Sequence, residues 1–345
     1  MPQSQTSGIR KPRTDDRLLW DLILNNIGYS AVLVAYNLKI FPLLAEEPRT
    51  LTEVCDALQL AQRPIHALLS TCVAHGLLQQ HDEQYSLSPV AEEYLLTSSP
   101  TYFGGLLDML IANDSVFSSF EKMKKAVLTN SSQAYEGEAV FKSHEEQIAR
   151  ARAFTYGMHG HSIGAAQAWP EVIDLSGHTL MLDIGGGSGA HAIGAVQRWP
   201  ELQAIVYDLP SVCQIAEEFV THYGVQDRVT AHSGDMWNAS FPSADLHFYG
   251  DIYHDWPPEK GSFLTQKSFE SLPSGGRIII HEMLYNDQKT GPFTAAAYSD
   301  IMLLWTEGHQ YSGNELRSML KEAGFTDIEI EPTFGYWSIA MGRKP

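Results

Sequence analysis

Residues 182–190 read LDIGGGSGA: an acid, Asp183, stands two residues before the first of the glycines Gly185, Gly187 and Gly189, with an apolar strand-like run ahead and a helix-like segment behind. Glycines at this spacing let a backbone turn sharply out of a strand and approach a ligand closely. The helix that follows presents unpaired N–H groups to whatever polar group lands there. The pattern reads as a nucleoside-cofactor loop.

Downstream of the loop, strand-like and helix-like runs alternate: AIVYDL and VCQIAEEFVTHYG, then VTAHSGDM, then DLHFYGDIY and GSFLTQKSFESL, then GRIIIHEML. Such alternation predicts an α/β domain with a mostly parallel sheet and helices on both faces. The tail EIEIEPTFGYWSIAMGRK reads as two strands joined by Gly335, suited to an antiparallel edge. The glycine loop also fits GxGxxA, so a dinucleotide fingerprint competes with an S-adenosylmethionine loop. Asp208, ending AIVYD, does not decide between them, because either nucleoside wants a carboxylate on its ribose. Asp183 does discriminate: it would repel a pyrophosphate but balance a cationic amino-acid tail.

At 345 residues the chain is long enough for two domains, and its apolar fraction of 44% excludes disorder. A formal charge of -18 argues against nucleic acid and anionic membranes as partners. The three cysteines, Cys55, Cys72 and Cys213, lie far apart in apolar helical patterns, which suits buried thiols in a reducing compartment. The polar first sixteen residues show no export signal. The apolar stretch from Leu18 to Leu44 is interrupted by Asn25, Asn26, Asn37, Lys39 and Pro42, too often for a membrane span, and reads as a helix pair or broken helix whose apolar faces a partner subunit would cover.

Residues 50–95 read helix, turn, helix, hairpin, with Thr52 as N-cap, Pro64 opening the second helix, Gly76 near its end and a polar turn at Asp82 and Glu83. This is a winged-helix pattern, and a winged-helix regulator sensing a metabolite is the rival reading. The second helix, PIHALLSTCVAHGLL, lacks the basic face that base readout needs. The module therefore reads as a dimerisation scaffold. Expected domains are 1–100 for this part, 101–168 for a helical connector, and 169–345 for the sheet.

Chemistry gathers at strand ends, where open α/β sheets bind ligands. Gly234, Asp235 and Met236 follow the third strand, and a carboxylate beside a thioether suits an adenine. His254 follows the fourth strand with Asp255 behind it, well placed as a general base, and Glu282 ends the next strand, close enough to orient an imidazole. His159 and His161 form HxH, but residues two apart on a helix diverge, so no metal site is expected. Tyr285, Phe293, Tyr298, Trp305 and Tyr311 are expected to contribute to an aromatic acceptor pocket.

The ordered set LDIGGGSG, YDLP, SGDM, YHDW and LPSGGRIIIHE, with the earlier FTYGMHGHS, resembles the dimeric, metal-independent O-methyltransferases of plant phenylpropanoid metabolism and acetylserotonin methylation over nearly the whole chain. The resemblance implies a Rossmann-like class I methyltransferase sheet behind a helical, winged-helix dimerisation domain, in a cytoplasmic homodimer that uses S-adenosylmethionine on a small-molecule hydroxyl, aromatic or polyketide-like. It implies that Asp183, Gly185, Gly187 and Gly189 hold the methionine end of the cofactor, Ser162 its carboxylate, Asp208 the ribose, and Asp235 with Met236 the adenine, with Leu209, Gly234 and Asp251 in the same site. Phe154, Met158, Asp255 and Trp305 would touch the acceptor, and His254 would be the base with Glu282 as its orienting acid. The chain departs from the family at Gln310, where a second acid is usual, and at Asp251, where relatives often carry a basic or bulky aromatic residue. Transfer to nitrogen or carbon, or a non-methylating reaction, are the alternatives on this scaffold. A base is needed because a phenol of pKa about 10 is roughly one part in a thousand ionised at pH 7, a deficit of about 4 kcal/mol.

Overall fold

A computed structural model describes residues 12–134 and 148–345; the polar N-terminal run 1–11 and part of the expected connector lie outside the described residues. The chain divides into two compact units, Met1–Ser99 and Pro100–Pro345.

In the first unit, Arg17–Asn37 (α1) is one continuous helix. Asn25 and Asn26 do not interrupt it; the break falls at Leu38 and Lys39, where Lys39 adopts the left-handed conformation and starts Ile40–Glu46 (α2). By length and composition α1 is apolar enough to cross a membrane, and Leu18, Leu19, Leu22, Ile23 and Ile27 are all more than half exposed. Its C-terminal half is anchored instead, with Leu33, Ala35 and Tyr36 buried. Strand Arg49–Thr50 (β1) leads into helices Leu51–Leu58 (α3) and Gln62–Ala74 (α4), followed by strands Leu78–His81 (β2) and Gln84–Leu87 (β3) and helix Pro89–Tyr94 (α5). The N-cap of α3 is Thr50, not Thr52, because Thr50 and Glu53 complete a reciprocal capping box. Pro64 lies within the first turn of α4, whose N-cap is Ala61. Asp82 and Glu83 both take positive φ, 47° and 64°, as a two-residue hairpin turn requires.

The second unit opens with helices Gly104–Ala112 (α6), Asp114–Phe117 (α7), Phe120–Thr129 (α8) and Ile148–Ala168 (α9). Strands then alternate with helices: Leu180–Ile184 (β4), Ala190–Arg198 (α10), Gln203–Asp208 (β5), Pro210–His222 (α11), Val229–Ser233 (β6), Leu246–Gly250 (β7), Pro258–Ser271 (α12), Arg277–Met283 (β8), Phe293–Trp305 (α13), Gly313–Ala323 (α14), Thr326–Pro332 (β9) and Trp337–Arg343 (β10). The seven-stranded sheet has the order β6-β5-β4-β7-β8-β10-β9. Strands β4 to β8 pair in parallel, and β10 is antiparallel to both β8 and β9. The C-terminal hairpin is therefore present, but its second strand sits inside the sheet and its first forms the edge.

Strand residues alternate between two cores, as a period of two demands. Met181, Phe248, Ile279 and Ile339 join one core with Trp169 and Phe219. Leu182, Tyr249, Ile280 and Ala340 join the other with Leu264, Leu316 and Phe325. On the first face α10 is wedged between sheet and α9, with every residue from Ala190 to Val196 buried. The wedge fits because Gly194 has no side chain: a β-carbon there would lie 2.1 Å from the Ala166 carbonyl oxygen of α9. Gly194→Ala gains about 1 kcal/mol of helix propensity but overpacks backbone against backbone, which costs about 1–3 kcal/mol or more. Calorimetry should show Gly194→Ala melting several degrees lower, whereas Gly177→Ala, where a β-carbon meets nothing within 4 Å, should melt like wild type. Equal stability of the two variants would refute the contact.

Candidate active site

The carboxyl ends of β4 to β7 open into a cavity of about 800 Å³ whose other walls come from α6, α9 and α13. Ser162, Asp183, Gly185, Gly187, Asp208, Leu209, Gly234, Asp235, Met236 and Asp251 line it, as do Phe154, Met158, Asp255, Trp305 and His254. Glu282 and Gln310 stand behind His254 rather than on the cavity wall, and both are fully buried. Gly189 does not reach the cavity: it is the left-handed N-cap of α10, and a β-carbon there would meet Val206 at 2.8 Å. The aromatic group is split. Tyr298 and Trp305 face the cavity, Tyr311 is buried with its hydroxyl donating to the Trp256 carbonyl at 3.0 Å, and Phe293 is 79% exposed.

At the glycine-loop end a buried carboxylate, Asp183, stands beside a half-buried one, Asp208. Neither oxygen of Asp183 has a hydrogen-bond partner among the described residues. Burial, with some help from Asp208, pushes its pKa up to about 7. Asp208 is held by the loop itself, accepting from the Gly187 N–H at 2.9 Å and the Leu209 N–H at 2.7 Å, and burial still raises it to about 6. Asp235 closes its own turn, accepting from the Trp237 N–H at 2.9 Å and the Asn238 amide at 2.6 Å. The loop is also braced from α9, where His159 Nδ1 lies 2.8 Å from the Ser188 hydroxyl and Nε2 lies 3.1 Å from that of Tyr223.

The other end is apolar, with Trp305 stacked between Phe117 and Phe154 at 5.2 and 6.3 Å. His254 lies between the two ends, on a short turn after β7. Its Nδ1 is 2.6 Å from Glu282 Oε2 and 3.1 Å from Gln310 Nε2, and its backbone N–H donates to Glu282 Oε1 at 3.2 Å. With Nδ1 so engaged, Nε2 is the nitrogen left beside Asp255, 3.7 Å from Oδ1. The turn is clamped by Gly308, where a β-carbon would strike the His254 carbonyl oxygen at 2.2 Å. Gly308, the cavity-lining His161 and the Lys260–Glu307 ion pair at 2.7 Å were not singled out as site residues in the sequence. Only His161 had a local signal, its place one residue ahead of Ser162.

Burial disfavours a charged imidazole at His254, but Glu282, followed by Asp255 and Asp251, outweighs it and holds the pKa up at about 10. These carboxylates thus favour the charged imidazole at neutral pH. Since this pKa exceeds the unfolded value near 6.5, the stability it contributes is complete below about pH 6.5 and lost as pH rises toward 10. In a histidine-labelled NMR titration, wild-type His254 should stay protonated through pH 8. Glu282→Gln should let burial prevail and bring the midpoint below about 7. A His254 that titrates near 6.5 in both proteins would contradict this electrostatic account.

Two family descriptions match the chain: the O-methyltransferase dimerisation domain over residues 20–97 and the O-methyltransferase domain over residues 120–326. A 3-hydroxy-5-methyl-1-naphthoate 3-O-methyltransferase from Streptomyces sahachiroi is 31% identical over 329 residues, covering 95% of this chain and 94% of that protein. An acetylserotonin O-methyltransferase from Bos taurus is 31% identical over 340 residues, covering 93% and 95%. The crystal structure of human N-acetylserotonin methyltransferase in complex with S-adenosylmethionine superposes with a TM-score of 0.84 at 25% identity, covering 97% of this chain and 99% of that one. The fold is the class I methyltransferase sheet, and the chain belongs to the S-adenosylmethionine-dependent O-methyltransferases that carry this dimerisation domain.

Proposed function

We propose that the protein methylates a hydroxyl of a small, planar aromatic or polyketide-like acceptor, with His254 as general base. The observation that carries this reading is the orientation of His254: Nδ1 faces the Glu282 carboxylate at 2.6 Å, and Nε2 is left beside Asp255 on the cavity wall. The apolar stack around Trp305 suits a flat ring system.

The residues fit the cofactor. Asp183 is an orphaned buried carboxylate suited to an ammonium group, and Asp208 keeps lone pairs for ribose hydroxyls beyond its two backbone bonds. Around Gly187 a β-carbon would meet nothing within 4 Å, so the loop leaves open space on the cavity side. Asp235 and Met236 would take the adenine, and Ser162 the carboxylate. When bound, S-adenosylmethionine supplies an electrophilic methyl on a sulfonium that leaves as a neutral thioether. The protein's part is to align the acceptor oxygen and remove its proton.

His254 Nε2 would accept that proton, and Glu282 would stabilise the imidazolium formed. An imidazole held near 10 matches a phenol of pKa about 10, so the transfer itself is close to thermoneutral. The cost lies in emptying the base of its resting proton. Activity should therefore rise with pH above 7, and positive charge entering the cavity lowers that cost. The exposed face of α1 and the dimerisation-domain match support a homodimer, and three free buried cysteines suit a reducing cytoplasm.

His254→Ala should leave cofactor affinity nearly unchanged and lower turnover by about 100-fold or more, with the loss shrinking for acceptors of low pKa. Unchanged turnover on a weakly acidic phenol would remove His254 from the mechanism. Asp183 gives a separate test, because its folded pKa of about 7 leaves it largely protonated at pH 6.5. An ammonium group docked on it favours the carboxylate, so cofactor binding should release a proton and tighten as pH rises from 6 to 8. Calorimetry in buffers of different ionisation enthalpy should detect that proton in the wild type and not in Asp183→Asn. Binding without proton exchange would place the ammonium elsewhere.

A further inference from the structure

A second carboxylate is buried beside His254 with surroundings of its own. Asp251 follows β7 with a φ of 57°, a left-handed conformation that Asp and Asn tolerate better than other side chains. Its N–H donates to the His281 carbonyl at 3.1 Å, and its side chain lines the cavity. The carboxylate lies between two imidazoles: Oδ2 is 3.5 Å from His161 Nε2 on α9, and Oδ1 is 3.8 Å from His254 Nδ1. All three side chains are at most 7% exposed, and Oδ1 has no hydrogen-bond partner among the described residues.

Tyr298 of α13 closes the group, its hydroxyl 3.3 Å from His161 Nε2 and its ring edge-on to His254 at 5.3 Å. His191 and His281 stand nearby with rings 5.0 Å apart, and burial keeps both neutral at pH 7. The groups that can act electrostatically on His254 are thus Glu282 from β8, Asp251 and Asp255 from its own segment, and His161 from α9. Gln310 touches the same Nδ1 with a neutral amide, which adds no countercharge.

We propose that Asp251 is a positioning residue that acts through His254, and that His161, by sharing the Asp251 carboxylate, tunes how readily His254 gives up its proton. His161 Nε2, 3.5 Å from Oδ2, competes with His254 for the Asp251 carboxylate and leaves Glu282 as the principal partner of the base. Without His161 the whole of that negative charge bears on His254; without Asp251 it vanishes. The two substitutions must therefore act in opposite directions, which a merely structural role does not produce. The proposal rests on His254 being the base.

The test is the pH profile of kcat/KM between pH 6 and 10 for wild type, Asp251→Asn and His161→Gln, with a phenolic acceptor and with one already ionised at pH 6. On the phenol, the rising limb of Asp251→Asn should lie about one pH unit to the acid side, as expected for loss of a charge within about 4–6 Å, and that of His161→Gln should lie to the alkaline side. The double variant should follow Asp251→Asn, because His161 then has no carboxylate to share. On the ionised acceptor neither limb should shift. Limbs that stay in place, or move together, overturn the proposal. Asn keeps the left-handed backbone of residue 251; if that variant does not fold, the alkaline displacement of His161→Gln alone decides. His254→Ala separates the two readings. A limb that survives that substitution sinks the base itself, whereas a limb lost there but indifferent to residues 161 and 251 sinks only this inference.

Discussion

A charged imidazole and a carboxylate held 2.6 Å apart in the buried interior constrain everything around them. Each charge alone would be costly in this interior, and removing one partner of such a pair typically costs about 3–5 kcal/mol because the other is left uncompensated. The pair requires that β7 and β8 be parallel neighbours, so that the turn after one strand meets the last residues of the other. It also requires a rigid turn. Tyr253 supplies an anchor through its hydroxyl, 2.8 Å from that of Thr265 on α12, and Gly308 presses backbone against backbone from the other side.

The same interior treats its other acids differently. Asp245, partly exposed at the opposite end of the sheet, accepts three hydrogen bonds from Thr179 and one from Leu180, and these hold its pKa below the usual range despite partial burial. Among the described residues, Asp183 has only the Ala192 N–H nearby to oppose its complete burial, and it is raised. The two aspartates thus diverge according to how far donors offset burial, and the more deeply buried of them is the one that faces a cavity.

The glycine loop, the acids at the ends of β4 and β5 and the His254 turn were legible because each is a local event: a strand, a turn residue, a side chain at the strand's carboxyl end. What was not legible depends on distances across the fold. His161 and Asp251 are ninety residues apart, and nothing in either segment signals that α9 brings one onto the other. Tyr311 and Phe293 carry the same apolar signal as Trp305, yet one packs inward and one faces solvent, since aromatic content does not encode direction. Strand order behaves alike. The pattern of β9 and β10 requires a hairpin but is indifferent to which strand enters the sheet. Thr50 rather than Thr52 caps α3 because capping depends on where Glu53 can reach back.

The two ends of the cavity are made of different material. Around the glycine loop the wall is backbone and strand-end carboxylate, positioned by where the chain itself runs. Around the Trp305 stack it is side chains projecting from helices, among them Leu106, Met109, Phe154 and Met158. Exchanging one of those for another apolar residue reshapes the wall without moving any main chain, whereas a change in the loop redirects the chain. Mutational drift therefore has an inexpensive axis and a forbidden one. A lineage built on this fold can wander through acceptor shapes one side chain at a time while the donor end stays as it was.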